Sequence, residues 1–248
     1  MSAGEAAALI AAGFAAGTIN VIVGSGTLIT FPVLLAFGYA PVTANVTNTL
    51  GLVPGSVSGA VGYRRELEGQ GPRAVRLGIA STLGGLVGAI ALLALPASAF
   101  KAIVPFFIAL ALVLVVIGPR LSRWIAGRAE TSHHGGRWVP AAVFCTGIYG
   151  GYFGAAQGIL LLAIMGLGLD DDLQRINALK NVLAGLVNLM AAVVFVFSAH
   201  IVWAAAGLLA IGSITGGQLG ANLGRRLSPG VLRAVIVVVG VFAIARLL

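Results

Sequence analysis

Uncharged apolar runs recur along most of this chain, and a helical run of about 18 to 25 residues covers roughly 30 Å of hydrocarbon. Segments of this kind fall at about 5–38, 41–63, 73–95, 97–118, 138–168, 172–198, 200–222 and 229–247, separated by Pro, Gly and charge. A backbone in lipid must satisfy its own N–H and C=O groups, which leaves helices or a closed barrel. Barrel strands alternate apolar and polar residues, whereas these runs are continuously apolar and rich in Ala, Leu, Gly and Val. The sequence therefore predicts an all-α, polytopic integral membrane protein. Composition excludes the alternative of a water-soluble domain: 59% of the 248 residues are hydrophobic and 9% charged, too little polar surface to cover a globule.

The formal charge of +8 would suit a nucleic-acid partner if the cations shared one face, but they sit in short loops between apolar runs. There they act as topology determinants, and no nucleic-acid partner is expected. Met1 to Ile10 carries Glu5 and no Lys or Arg, so it lacks the basic region of a cleavable signal peptide and the first segment is expected to stay. The lone Cys145 excludes an intrachain disulfide and a thiolate metal cluster, and reads as a small helix-packing residue. No phosphate-binding loop and no metal-ligand pattern occurs, so no cofactor or metal is expected.

The segments divide four and four around the polar stretch Pro119 to Arg137, which holds Arg120, Arg123, Arg128, His133 and His134. This predicts an N-terminal transmembrane repeat over 1–118, a cytoplasmic basic linker over 119–137 and a C-terminal transmembrane repeat over 138–248. Segments one and five are too long for simple spans, and both are interrupted, at Gly24-Ser25-Gly26-Thr27 and at Gly154-Ala155-Ala156-Gln157-Gly158. An offset of 134 residues lays Gly13 on Gly147, Gly17 on Gly151 and Gly24 on Gly158. Beyond the break an offset of 132 lays Asn45 on Asn177, Asn48 on Lys180 and Ser56 on Asn188, the signature of an internal repeat. If the broken segments are re-entrant, each half crosses three times and the second half is inverted. That topology collects 13 of the 15 cations on one face and leaves Lys101 and Arg246 opposite, as the positive-inside rule favours.

A broken membrane helix leaves N–H groups and a positive dipole end inside the bilayer, where an anion is the natural partner. Transporters with inverted repeats place their sites at such breaks. The candidates are Asn20, Gly24, Ser25, Gly26 and Thr27 in the first half with Gln157 and Gly158 in the second. Each glycine alone reads equally as a close helix contact. At the starts of segments two and six, Asn45, Thr47, Asn48, Asn177, Lys180 and Asn181 put costly polar groups into apolar surroundings. Lys180 is the sharpest of these: it either snorkels to headgroups or neutralises a bound anion. Asp170, Asp171 and Asp172 read as the acidic first turn of segment six rather than a metal site. His200 and Trp203 read as interfacial residues, and Gln218 and Asn222 as path-lining or helix-bridging groups.

The glycines from Gly13 to Gly59, the break Gly24-Ser25-Gly26, Phe31-Pro32, Gly38-Tyr39 and Thr47-Asn48 resemble the sulfite exporter TauE/SafE family. The second half resembles it through Gly147 to Gly158 and Asn177 to Asn188 with Lys180. The chain departs from the family's pattern at Thr27, where a third glycine is common, and at Leu179, where a Thr is common. The resemblance implies a secondary transporter, not an enzyme, that exports sulfite or an organosulfonate across the cytoplasmic membrane, or imports a related oxyanion; with no phosphate-binding loop, the proton or the membrane potential is the expected driving force. Spacing alone points only to an anion, and a channel would use the same residues. An intramembrane serine protease fails because Ser25 lacks the glycine two residues earlier and the histidines lie in a loop or at an edge. Lipid is the surrounding partner, and small-residue faces such as Gly84 to Gly88 permit packing within the chain or between chains of a homo-oligomer. A topology reporter fused at Leu248 is expected on the extracytoplasmic side; a cytoplasmic signal would reverse the inverted reading.

Overall fold

The computed structural model describes residues 1–126 and 136–223, and all regular structure among them is helical. In order, the elements are α1 (Ala3–Ile22), α2 (Thr27–Ala36), α3 (Pro41–Gly62), α4 (Gly71–Ala94), α5 (Ala97–Ala126), α6 (Trp138–Tyr152), α7 (Gln157–Gly168), α8 (Leu173–Ser198) and α9 (Trp203–Leu223). Both long segments are indeed interrupted, as α1–α2 and α6–α7. Five helices are long and apolar enough to cross a membrane: α1, α4, Ala97–Gly118 of α5, α8 and α9. Helix α3 has the length, but Asn45, Thr47, Asn48 and Thr49 interrupt its apolar run. The predicted segment 229–247 and the cations Arg128, Arg225, Arg226, Arg233 and Arg246 lie outside the described residues.

Helix α5 continues unbroken to Ala126, into the stretch read as a linker at 119–137. A helix that has left the apolar layer can run on through polar residues, since its hydrogen bonds are internal. Asp170 to Asp172 likewise precede α8 rather than forming its first turn. Asp172 is the N-cap, its side chain accepting from the backbone N–H of Gln174. Cys145, expected to pack between helices, lies exposed on α6.

The broken helices pack mainly on the opposite half, α1 along α9 and α6 along α4, while α3 contacts both α9 and α8. These contacts are backbone to backbone. A methyl group built on Gly13 or Gly17 would strike the carbonyl of Leu209 or Ser213, and one on Gly84 or Gly88 the carbonyl of Phe144 or Ile148. Between apolar helices in lipid, such close approach supplies the dispersion contacts that hold them together. The glycines of Gly84 to Gly88 are thus used inside the chain. Hydroxyls reinforce the crossings: Ser213 donates to the Gly51 carbonyl at 2.8 Å and Ser81 to the Leu183 carbonyl at 3.2 Å. Donors and acceptors of these two bonds are related by the same shift of 132 residues.

The contacts also give directions. Gly13 and Gly17 meet Leu209 and Ser213 in turn, as do Gly51 and Gly55, so α1, α3 and α9 run the same way. Helix α4 runs with α6 through Gly84 and Gly88, and with α8 through Ser81 and Gly85.

For α1 and α6 the structure changes the expected register. Their ends, their hydrogen bonds and their glycine contacts correspond at a shift of 130, placing Gly17 on Gly147 and Gly24 on Gly154 rather than Gly24 on Gly158. The difference is four residues, one helical turn. Glycines spaced by four leave both registers equally plausible in sequence; packing against α9 and α4 removes the degeneracy. Gly151, whose added Cβ would collide with the Gly85 carbonyl, tests this contact. Gly151→Val is expected to destabilise the protein by about 1–3 kcal/mol through overpacking, read as a lower unfolding midpoint in detergent. Gly207→Ala, at a glycine with open space around it, should leave the midpoint unchanged.

Candidate functional site

Both broken helices end in the same way. The N–H groups of Val23 and Gly24 both donate to the Ile19 carbonyl, and those of Phe153 and Gly154 to the Tyr149 carbonyl. Gly24 and Gly154 then adopt left-handed φ values of +83° and +76°, which only glycine takes without a Cβ clash. The chain turns back and starts α2 or α7. In α2 the first turn is closed by Leu28 N–H to Ser25 and Ile29 N–H to Gly26. The N–H groups of Ser25, Gly26 and Thr27 therefore precede the first intrahelical bond, at the positive end of the helix dipole. Helix α7 begins after Ala156, which is left-handed without being glycine (φ 58°), a strained conformation.

The two breaks touch. Gly158 N–H donates to the Gly24 carbonyl at 3.1 Å, and a Cβ on either glycine would overlap the other's Cα. Beside this contact lie buried polar atoms with no hydrogen-bond partner: two donors, the Ser25 hydroxyl and the Gln157 amide nitrogen, and one acceptor, the Asn177 carboxamide oxygen. Gln157 has little room to turn away, because its amide packs against Gly150, where any Cβ would displace it. An orphaned buried donor costs about 1–3 kcal/mol, so two at one point mark a place where something else binds or where the structure rearranges.

Lys180, fully buried, passes its stem over Gly158 and donates from Nζ to the carbonyls of Asn20 (3.1 Å) and Val21 (3.0 Å). Asn177 and Asn181 also donate to Val21, at 3.4 and 3.3 Å. One turn of α8 thus caps the carbonyl end of α1, where a cation also complements the helix dipole. The first half returns the arrangement: Asn45 of α3 donates to the Tyr152 carbonyl at the end of α6, at 2.9 Å. Lys180 does not snorkel. Two of its three donors are held by backbone carbonyls beside the breaks.

Of the predicted site residues, the structure brings Asn20, Gly24, Ser25, Gly26, Gln157, Gly158, Asn177, Lys180 and Asn181 around one point. Thr27 and Asn48 lie alongside, joined by a bond from the Asn48 amide to the Thr27 hydroxyl at 3.3 Å. Asn45 braces the site from behind. Thr47 is not part of it, since its hydroxyl accepts from Val202 N–H at the start of α9. Gln218 bridges helices by accepting from Ser58 at 3.4 Å, and Asn222, His200 and Trp203 are exposed. Sequence reasoning missed Thr30, which donates to the Asn48 carboxamide oxygen; its spacing one turn beyond Gly26 was the available signal. It also missed an aromatic wall at the second break, where Phe31, Phe100 and Phe107 meet Tyr152 and Phe153 with ring centroids 5.2 to 6.1 Å apart. Nothing in the spacing of those residues announces that they converge.

Gly24→Ala is expected to cost about 1–2 kcal/mol for the left-handed backbone alone, and more for the overlap with Gly158. Ala156→Gly should stay within about 1 kcal/mol of the unsubstituted protein, because relief of strain offsets added unfolded-state freedom. Thermal unfolding of the two variants in one detergent checks the pair.

Comparison with known proteins agrees with this architecture. The family model for the sulfite exporter TauE/SafE matches residues 9–247. A protein of Escherichia coli K12 named probable membrane transporter protein YfcA is 27% identical over 235 residues, 94% of this chain and 86% of that protein. A probable membrane transporter protein of Haemophilus influenzae is 28% identical over 248 residues, 97% of this chain and 93% of its own length. Probable membrane transporter protein ORF9 of Sinorhizobium sp is 26% identical over 246 residues, covering 97% and 91%. No solved structure matches the chain significantly.

Proposed function

This chain belongs to the sulfite exporter TauE/SafE family of multi-pass membrane transporters, not to an enzyme family, and we propose that it exports a small sulfur-containing anion such as sulfite or an organosulfonate. The membrane it serves is the cytoplasmic membrane, and the anion is held between the two breaks near the midplane. The observation that carries this reading is the pair of orphaned donors, Ser25 Oγ and Gln157 Nε2, beside the touching backbones of Gly24 and Gly158. They lie at the positive ends of α2 and α7, where hydrogen-bond donors and dipole together favour an oxyanion. Lys180 supplies a cation within reach, and movement of its ammonium from the α1 carbonyls toward the anion would link binding to release of α1.

The carrier reading is supported by the helix directions. Two successive spanning helices joined by a short turn run oppositely, which sets α4 against α3. That α8 and α6 run with α4 while α1 and α9 run with α3 supports reading the second half as inverted relative to the first. Inverted repeats that meet at a fixed site are the framework of alternating access. The backbone contact between the breaks closes the site in this state, as a carrier requires and a continuously open channel does not. With no phosphate-binding loop in the sequence, the proton gradient or the membrane potential is the proposed driving force.

Uptake and counterflow of labelled sulfite, sulfoacetate, taurine and sulfate by the purified protein in liposomes test the proposal. Saturable exchange of one sulfur anion is expected, with Lys180→Ala reducing it by at least about tenfold and Ser25→Ala or Gln157→Ala raising its KM by roughly three- to tenfold, the scale of one lost hydrogen bond. Flux that neither saturates nor shows counterflow would favour a channel, and absence of flux for all four would remove the substrate assignment.

A further inference from the structure

A charged cluster that the anion site does not use lies where α4 and α8 begin. Asp171, in the turn between α7 and α8, accepts from Arg73 Nη1 at 2.5 Å and from Arg175 Nε at 2.9 Å. The Asp171 and Arg73 side chains keep only 15% and 13% of their exposure. Arg73 stands in the first turn of α4 and Arg175 in the first turn of α8, so one carboxylate ties a helix of the first half to one of the second. The connecting turn of the first half joins in. Arg175 Nη2 donates to the Glu68 carbonyl at 3.0 Å, and the buried Gln70 donates to the Arg175 carbonyl, also at 3.0 Å. Burial by itself would raise the Asp171 carboxyl, but the bonds from Arg73 and Asp172 N–H and the charges of Arg175 and Arg73 outweigh it and hold the group below its usual range. A lowered carboxyl stabilises the fold above its unfolded value of about 3.9 and loses that contribution only as pH falls through the folded value. The carboxylate is therefore charged throughout the neutral range.

Among the described residues the opposite end has no equivalent. The shift of 132 residues that relates α3 to α8 and α4 to α9 carries Asp171 onto Tyr39, Arg175 onto Thr43 and Arg73 onto Ala205. None of these forms an ion pair. The two halves are joined there by a neutral bond, from Val202 N–H to the Thr47 hydroxyl at 3.2 Å. Two halves built alike are thus fastened differently at their two ends. Hydrogen bonds between charged groups contribute more than a neutral one, and parting them inside the protein strands a partly buried charge.

We propose that Arg73, Asp171 and Arg175 form a gate clasp between the two halves. It closes the cation-rich face, opens whenever the site turns to that face, and biases the resting protein toward access from the other side. The clasp rests on the preceding reading only in that the halves part at one face at a time; it is independent of which anion is carried. A ligand shifts such an equilibrium only through contacts that differ between the two states, and the clasp is a contact made in one state alone.

The test needs no substrate. With Cys145→Ala removing the exposed native thiol, Ser25→Cys places a reporter at the break, and a membrane-impermeant methanethiosulfonate is applied from each face in oriented vesicles. Modification is expected to be slower from the clasp face than from the other. Asp171→Asn should speed it from the clasp face by about fivefold or more and leave the opposite face unchanged or slower. Equal rates from both faces in the parent, or rates that Asp171→Asn does not alter, would overturn the clasp. Should Asp171→Asn fail to insert, the pair Arg73→Cys and Asp171→Cys serves instead. Bridging it with a short bis-maleimide before reporter modification must suppress labelling from the clasp face, and labelling that persists would equally overturn the proposal. A protein that carries none of the tested sulfur anions yet shows the asymmetry would lose its substrate assignment and keep its clasp.

Discussion

A helix that stops inside a bilayer leaves bare carbonyls at one side of the break and bare N–H groups at the other, with no water to satisfy either. The fold is organised around that constraint. At both breaks the carbonyl end is closed by side chains from the other half: Lys180, Asn177 and Asn181 reach the end of α1, and Asn45 reaches the end of α6. The N–H ends are not closed in the same way, apart from the one bond from Gly158 to Gly24. Carboxamides and an ammonium deep in an apolar chain therefore have a structural task before they have a chemical one. What they leave unsatisfied, on α2 and α7, is the part for which an anion is proposed.

The exchange of partners between halves follows from the same economy of polar groups. Helices in lipid gain little by burying apolar surface against each other, so they associate through small residues that bring backbones together. Glycines of α1 seat on α9 and glycines of α4 on α6, and the serine hydroxyls at 81 and 213 tie the neighbouring crossings, α4 to α8 and α9 to α3, through carbonyls. Neither half could close its own break, because the groups that do so arrive on helices of the other. Under the proposed function, binding at the breaks and relative movement of the halves would be coupled through the same contacts.

Against this near-symmetry the clasp at Asp171 stands out as a difference between the two ends. A carrier with identical ends would have no preferred resting side. The clasp's ion pairs lie at the starts of α4 and α8, at residues whose counterparts in the other half are uncharged.

Much of this architecture is legible in the amino-acid sequence. The all-helical membrane class follows from the length of the apolar runs, because a lipid environment permits so few backbone solutions. The two interruptions are visible as glycine clusters, since no other residue takes a left-handed φ freely, and Lys180, Asn177 and Asn181 stand out because buried polarity needs a reason. The register of the repeat is not legible: glycines four apart fit α1 to α6 in two ways one turn apart, and only contact with α9 and α4 selects between them. The exposure of Cys145 and the separation of Thr47 from the breaks likewise depend on neighbours distant in sequence, whereas the extension of α5 to Ala126 and the cap from Asp172 to Gln174 are local. Sequence by itself determined the solvent, the helices and the places where they break, all set by local backbone chemistry. Tertiary structure alone decided that the breaks touch, that Lys180 bonds to α1 and that Asp171 joins the halves, because each of these is a contact between segments more than 90 residues apart in the chain.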